Sequence, residues 1–237
     1  MDVPFFFSEQ LDQYTVSLHL DEAGSRHAIQ VLRMKKGEQI QLVNGKGVLA
    51  KAIITDVDKR KTGVAVEEID CKEQSAEKIS IAISLIKNTS RFEWFLEKAT
   101  EIGVSEIIPL LCNRTERQVF RHDRLKQILI SAMLQSQQVW MPILHNPISL
   151  SDNFKMFNQF RGEKFIAHCE ETDKQQLNSR ILSSLPEKLM LIGPEGDFTN
   201  DEIKLATENN FIPVSLGETR LRTETAGIVA ATLMKMG

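Results

Sequence analysis

Two stretches of this sequence concentrate residues able to cradle a ligand and move a proton. The first, Gly193-Pro194-Glu195-Gly196-Asp197-Phe198, follows the apolar run Lys188–Ile192 and precedes a helix-capping pattern, Thr199-Asn200-Asp201-Glu202. Glycines let backbone approach a ligand closely, and the proline stiffens the turn. In open parallel sheets ligands bind beyond the carboxyl ends of strands, where a loop of this kind lies. A plain tight turn has the same composition. The spacing is not GxGxxG and no Gly-Lys-Ser/Thr follows, so a phosphate cradle is disfavoured.

The second stretch, Leu216-Gly217-Glu218-Thr219-Arg220-Leu221-Arg222-Thr223-Glu224-Thr225-Ala226, packs two arginines, two glutamates and three threonines into eleven residues. It too follows a short apolar run, Ile212–Ser215, and opens a helix. A solvated helix start is the plainer explanation of its polarity. Two such loops at the ends of late strands nevertheless suggest a shared pocket. The five histidines show no metal spacing such as HExxH, no GxSxG elbow is present, and no metal is expected.

Basic residues are clustered. Arg26, His27, Arg33, Lys35 and Lys36 fall between Ala23 and Gly37 without an acid. Between Arg114 and Lys126 five bases (Arg114, Arg117, Arg121, Arg124, Lys126) face two acids, Glu116 and Asp123. Solvated helix faces would read the same way, but such clusters also suit a phosphate backbone. Phe120 and Trp140 are available for base stacking.

The elements that must position these groups change character near residue 75. Earlier residues form short β-like runs (Tyr14–Leu18, Glu38–Val43, Val48–Val57, Thr62–Ile69), with a hairpin signal at Asn44-Gly45 and one helix, Glu22 to Met34, capped by Asp21. They predict a small barrel or sandwich. Later residues alternate strand and helix: strand Ile79–Leu85, a helix opened by a Ser90–Glu93 capping box and closed by Gly103, and strand Ile107–Leu111. Helix Arg121–Val139, strand Phe165–His168, helix Lys174–Leu185, strand Lys188–Ile192, a helix after Thr199, strand Ile212–Ser215 and helix Thr223–Met236 follow. Alternation of this kind means an α/β fold with a parallel sheet. The expected domains are 1–72 and 79–237, with residues 73–78 as linker.

A chain of 237 residues with 42% hydrophobic and 26% charged residues fits a globular protein of that organisation. The net charge of -3, from 29 basic and 32 acidic residues, excludes a globally basic nucleic-acid binder but not a local patch. Three dispersed cysteines argue against a disulfide framework or structural zinc. With no long apolar run and no basic, apolar leader, the expectation is a soluble, cytoplasmic protein without a membrane partner.

Taken together these motifs resemble the RsmE family, methyltransferases of the SPOUT (α/β-knot) class acting on small-subunit ribosomal RNA. Arg26-His27 through Val31-Leu32-Arg33 to Gly37 is similar to one family segment, and Glu97-Lys98-Ala99-Thr100-Glu101-Ile102-Gly103-Val104 to a second. The loops at Gly193–Phe198 and Leu216–Ala226 resemble the family's GPEGGF and LGxxILRxETA. Asp197 stands for a glycine, Arg220 for an isoleucine, and Gln138 for an arginine of an EQSxR segment.

The resemblance implies an N-terminal PUA-like β-barrel and a C-terminal SPOUT trefoil-knot domain with a parallel sheet, working as a homodimer. It implies S-adenosylmethionine as cofactor, held by Leu191, Ile192, Gly193, Glu195, Gly196, Leu216, Gly217, Leu221, Thr223 and Thr225, with His168-Cys169-Glu170 as a further segment. It implies methylation of uridine N3 in 16S rRNA, offered free or within the 30S subunit. Arg222 would stabilise charge on the uracil and Glu224 or Glu195 would accept the proton. Arg26, His27, Arg33, Arg114 and Arg121 would contact the RNA. Competing readings are a SPOUT methyltransferase with another RNA target and a non-catalytic RNA-binding assembly factor. A nicotinamide oxidoreductase is poorly supported, because Ile86-Lys87-Asn88-Thr89-Ser90 lacks glycine after the first α/β strand.

Overall fold

The computed structural model describes residues 3–116, 119–170, 174–180 and 185–236. Arg117 of the basic cluster and residues 181–184 of the expected helix Lys174–Leu185 lie outside the described residues. The chain forms two compact units: residues 1–74 with 130–141, and residues 75–129 with 142–237.

The first unit is built on one five-stranded sheet in the order β1-β3-β4-β5-β2. Its strands are β1 (Phe5–Phe7), β2 (Ser17–His19), β3 (Gln39–Val43), β4 (Val48–Asp56) and β5 (Gly63–Cys71). β1 pairs with β3 in parallel, and the other pairs are antiparallel. Alternating residues such as Ile40, Leu42, Ala50, Ala52 and Ile54 point into a core shared with Phe6, Leu18, Leu20 and Val64. β1 has no counterpart among the expected strands. β2 starts later than the expected Tyr14–Leu18, because Asp12 draws Tyr14 N–H (3.0 Å) and the Thr15 hydroxyl (2.7 Å) into a local turn.

Asp21 caps α1 (Glu22–Arg26) as expected, accepting from Gly24 N–H at 2.7 Å. The helix does not continue regularly to Met34. It widens into a π turn, His27–Val31, and stops at Arg33, which has φ 56°. The Met34 N–H closes that end on the Ala28 carbonyl at 2.9 Å. The Asn44-Gly45 hairpin is a four-residue link instead of a two-residue one, with Asn44 Oδ1 accepting from Lys46 and Val48 N–H. Gly47 is required there. Its φ is +92°, and a Cβ would lie 2.4 Å from the Trp140 ring.

The second unit carries a wholly parallel sheet ordered β11-β13-β10-β12-β6-β7-β8, with β9 also on β7. Its strands are β6 (Lys78–Ser84), β7 (Glu106–Leu111), β8 (Ile143–Leu144), β9 (Ile148–Ser149), β10 (Glu163–Ala167), β11 (Gln175–Gln176), β12 (Glu187–Ile192) and β13 (Ile212–Ser215). Between them run α2 (Thr89–Ile102), α3 (His122–Gln135, whose second half groups with the first unit), α4 (Phe154–Phe157), α5 (Leu177–Arg180), α6 (Asn200–Glu208) and α7 (Thr223–Met236). β6 and β12 are buried from their second residue onward, as the near-continuous apolar runs require of central strands. A late strand, β12, stands between two earlier ones, β6 and β10.

Asn88, not Ser90, caps α2, accepting from Ser90 N–H at 3.0 Å. Glu93 leaves the expected capping box because Arg124 takes it in a two-pronged contact of 2.7 and 3.1 Å. Gly103 closes α2 in the left-handed conformation, as expected. α3 ends well before Val139, where Gln137 turns to φ 56°. Gln175–Gln176 is extended instead of helical, because its backbone pairs with Val214–Ser215. The capping box at Thr199 and Glu202 is complete.

Candidate cofactor cleft

β13, β10 and β12 are neighbours, so their carboxyl ends bring three loops together. Between these loops lies a cleft of roughly 760 Å³, a size suited to a cofactor. Its walls are Ala167–Cys169, Ile192–Glu195 with Asp197, and Val214–Thr223, joined by Arg91, Lys174 and Ala226.

Each loop is locked by contacts that its sequence makes available. Gly193 sits against the buried Phe198 ring, which a Cβ would approach to 3.0 Å. The Gly193 carbonyl accepts from the Thr223 hydroxyl at 3.1 Å, which ties this loop to the start of α7. Asp197 occupies a left-handed conformation (φ 66°), one that glycine adopts freely and aspartate tolerates. The Ser215 hydroxyl accepts from Gly217 N–H at 3.3 Å and donates to the Gly217 carbonyl at 2.8 Å. Nothing lies within 4 Å of a Cβ built on Gly217, so its backbone faces open space.

Of the expected cofactor residues, Ile192, Gly193, Glu195, Leu216, Gly217, Leu221 and Thr223 line this cleft. Leu191 is fully buried in the adjoining core. Gly196 and Thr225 are not in the wall, and the Gly196 carbonyl instead accepts from Arg114 at 2.7 Å. Arg114 reaches the Phe198 carbonyl as well, at 3.3 Å, so part of its guanidinium braces the loop. Arg222 lines the cleft and is exposed. Glu224 is buried just behind, with one carboxylate oxygen 3.6 Å from Arg91 Nε and the other without a partner.

Sequence reasoning missed Arg91. From the first turn of α2 it enters the cleft wall and meets Glu195 at 3.2 Å as well as Glu224. Its partners lie over a hundred positions away, and no local pattern signals them. Lys174 was missed too, and its ammonium donates to the His168 carbonyl at 2.8 Å. His168 is buried, with neither ring nitrogen bonded. Burial first, and Lys174 second, hold its pKa below the ordinary histidine value, which favours the neutral ring.

The wall therefore carries Arg91, Lys174, Arg220 and Arg222 against Glu195, Asp197 and Glu218. That mixture of signs, with backbone from glycine loops, fits a cofactor bearing a sulfonium, an ammonium and a carboxylate. Among the described residues no group of three or more His, Cys, Asp or Glu could hold a metal ion. No helix in those residues is long and apolar enough to cross a membrane.

Of the expected RNA contacts, Arg26, His27 and Arg33 are exposed on the first unit. Arg26 pairs with Glu22, and His27 stands edge-on to Phe6 at 6.0 Å. Arg121 is exposed on the second unit, before α3.

The wholly parallel sheet with a late strand between earlier ones, and the cofactor-sized cleft at its strand ends, belong to a fold of the α/β-knot (SPOUT) class, and the chain also carries a curled N-terminal sheet. An RNA methyltransferase domain family matches residues 72–235, and an RNA methyltransferase PUA domain family matches residues 20–62. Ribosomal RNA small subunit methyltransferase E of Rickettsia conorii is 32% identical over 211 residues, covering 87% of this chain and 84% of that protein. A probable rRNA-methyltransferase from Porphyromonas gingivalis superposes with a TM-score of 0.87 at 34% identity, over 97% of this chain and 95% of that one. A ribosomal RNA small subunit methyltransferase E from Neisseria gonorrhoeae, bound to S-adenosyl methionine, superposes at 0.82 and 26% identity, over 99% and 98%. The chain belongs to the ribosomal RNA small subunit methyltransferase E family.

Proposed function

We propose that this protein transfers a methyl group from S-adenosylmethionine to N3 of a uridine in 16S rRNA. The observation that carries the reading is the cleft at the ends of β13, β10 and β12, walled by both glycine loops, in a chain whose relatives include a methyltransferase with S-adenosyl methionine bound. The cofactor supplies an electrophilic methyl on a sulfonium that is already an activated leaving group.

The chain's own residues would do the rest. Gly193, Leu216 and Gly217 offer backbone to the cofactor, while Ile192 and Leu221 offer apolar wall. Uridine N3 carries a proton that must leave as the nitrogen attacks. The Arg222 guanidinium would donate to a uracil oxygen as negative charge develops there. Of the carboxylates at the site, Glu195, in the wall, or Glu224, buried behind Arg91, would accept that proton. Holding methyl and nitrogen in line supplies much of the acceleration.

Residues 1–72 would hold the RNA through Arg26, His27 and Arg33, and residues 79–237 would carry the chemistry with Arg114 and Arg121 toward the substrate. The resemblance supports a homodimer working in the cytoplasm on free 16S rRNA or the 30S subunit. The test is methyl transfer from labelled S-adenosylmethionine to naked 16S rRNA and to 30S particles from cells lacking the enzyme, with the product mapped by mass spectrometry. A 3-methyluridine is the expected product. A methyl on ribose or another base would retire the N3 assignment, and RNA binding without transfer would favour an assembly factor.

A further inference from the structure

Arg91 and Phe92 are consecutive on the first turn of α2, yet they line different hollows. Phe92 belongs to a smaller one of roughly 230 Å³, walled by Leu85, Ile86, Val119 and Leu125, with Phe120 and Arg121 at its side. Leu85 lies two residues past Ile83, which pairs with Ile192 at the edge of the cofactor cleft. The two hollows thus sit at the ends of adjacent parallel strands.

Building on the methyltransferase reading, we propose that this second hollow receives one unstacked nucleotide of the substrate RNA, its base against Phe120 and its phosphate on Arg121. Size favours a single ring system, since the volume falls below the ~300–1,000 Å³ of sites for drug-sized ligands. The chemistry suits a base, which offers apolar faces to aliphatic walls and stacks on aromatic rings. Val119 is 72% exposed, an apolar surface left open to a partner. Charge selects the phosphate. Arg124 is neutralised by Glu93, whereas Arg121 is exposed and has no ion pair among the described residues. A nucleotide here would flank the base being methylated and hold the strand while that base enters the cofactor cleft.

Filter binding of deproteinised 16S rRNA and of 30S subunits to the full-length protein tests this, alongside KM and kcat, cofactor affinity by calorimetry and mass by light scattering. Phe120→Ala should weaken RNA binding about tenfold, within the range for loss of one base–aromatic stack. Phe120→Tyr should stay within about twofold of wild type, since it keeps the ring. Thr89→Trp, an exposed position on the rim of the hollow, should weaken RNA binding by plugging it. Cofactor affinity should not move in any of the three. Unchanged RNA affinity in both Phe120→Ala and Thr89→Trp would overturn the proposal. Loss of RNA affinity together with a change in mass would also overturn it, by assigning the hollow to contact between copies. RNA affinity is read without methyl transfer, so a wild-type protein that binds RNA but transfers nothing sinks only the methyltransferase reading.

Discussion

The Asp197 carboxylate accepts a hydrogen bond from the Cys169 backbone N–H at 2.7 Å, so a side chain after β12 fastens the loop after β10. Its other oxygen accepts from Phe198 N–H at 2.8 Å. Asp197→Gly removes both contacts but relieves a left-handed conformation that costs a non-glycine residue about 1 kcal/mol. The melting temperature should therefore change little. S-adenosylmethionine binding should weaken about fivefold, equivalent to ~1 kcal/mol, because two walls of the cleft lose their tie. Calorimetric titration beside thermal unfolding checks both halves. Unchanged affinity would mean that the loops keep their places without this link.

Arg91 is the cation nearest the buried Glu224. Arg91→Ala should cost about 2 kcal/mol, less than the loss of a fully buried pair because the arginine is partly exposed. Adding Glu224→Gln should recover part of that loss, since the stranded charge goes with it. A double-mutant cycle in urea measures the coupling, and strictly additive effects would show that the two side chains do not interact.

Arg222→Ala should lower kcat at least tenfold while RNA affinity stays within about twofold, because charge on the uracil develops only in the transition state. Equal losses in both would make Arg222 a binding residue. Single-turnover methyl transfer beside filter binding separates these outcomes.

Gly227 lies on the face of α7 that meets α2. A Cβ there would come within 2.6 Å of the Phe95 ring and 3.0 Å of Ile83. Gly227→Ala should destabilise the protein by about 1–3 kcal/mol through overpacking. Cofactor affinity should fall as well, since α7 begins at Thr223, whose hydroxyl holds Gly193. Stability equal to wild type in chemical denaturation would show that the two helices can separate at little cost.

His145 and Glu106 form a 2.6 Å contact at the β7–β8 edge. The Glu106 partner raises the His145 pKa above 6.5, so its share of stability is full below 6.5 and fades as pH rises through the raised value. His145, then Ser80, hold Glu106 below its usual 4.5, so its share is present above 4.5 and lost as pH falls through the lowered value. The pair therefore contributes most between about pH 4.5 and 6.5, by under ~1 kcal/mol because both groups are partly exposed. Melting curves of wild type and His145→Gln should differ most near pH 5.5 and converge by pH 9. A constant difference across that range would show that the pair acts as a neutral hydrogen bond.

What could be read from the sequence followed from local physics. The glycine loops stood out because each interrupts an apolar strand and opens a helix, and Asp21, Gly103 and Thr199 mark helix ends through contacts within a few residues. The unread features depend on distant partners. Ser90 and Glu93 spell a capping box, but Arg124 claims the glutamate. Phe5–Phe7 becomes a strand only by pairing with Gln41–Val43. Arg91 gains its place in the site only once α2, the Gly193 loop and α7 have met.

The position of β12 has a consequence for how the molecule is made. Its six residues stand in register with β6 on one side, and five of them with β10 on the other. Both neighbours leave the ribosome first, and they have no bonds to each other to make. Until residues 187–192 emerge, β10 is separated from β6 and the strands beyond it by a gap one strand wide. The segment that fills the gap also carries Gly193 and Pro194 into the cleft. β13 and the Val214–Thr223 wall follow still later, so a nascent chain that ends before residue 212 has neither the whole sheet nor the whole cofactor site.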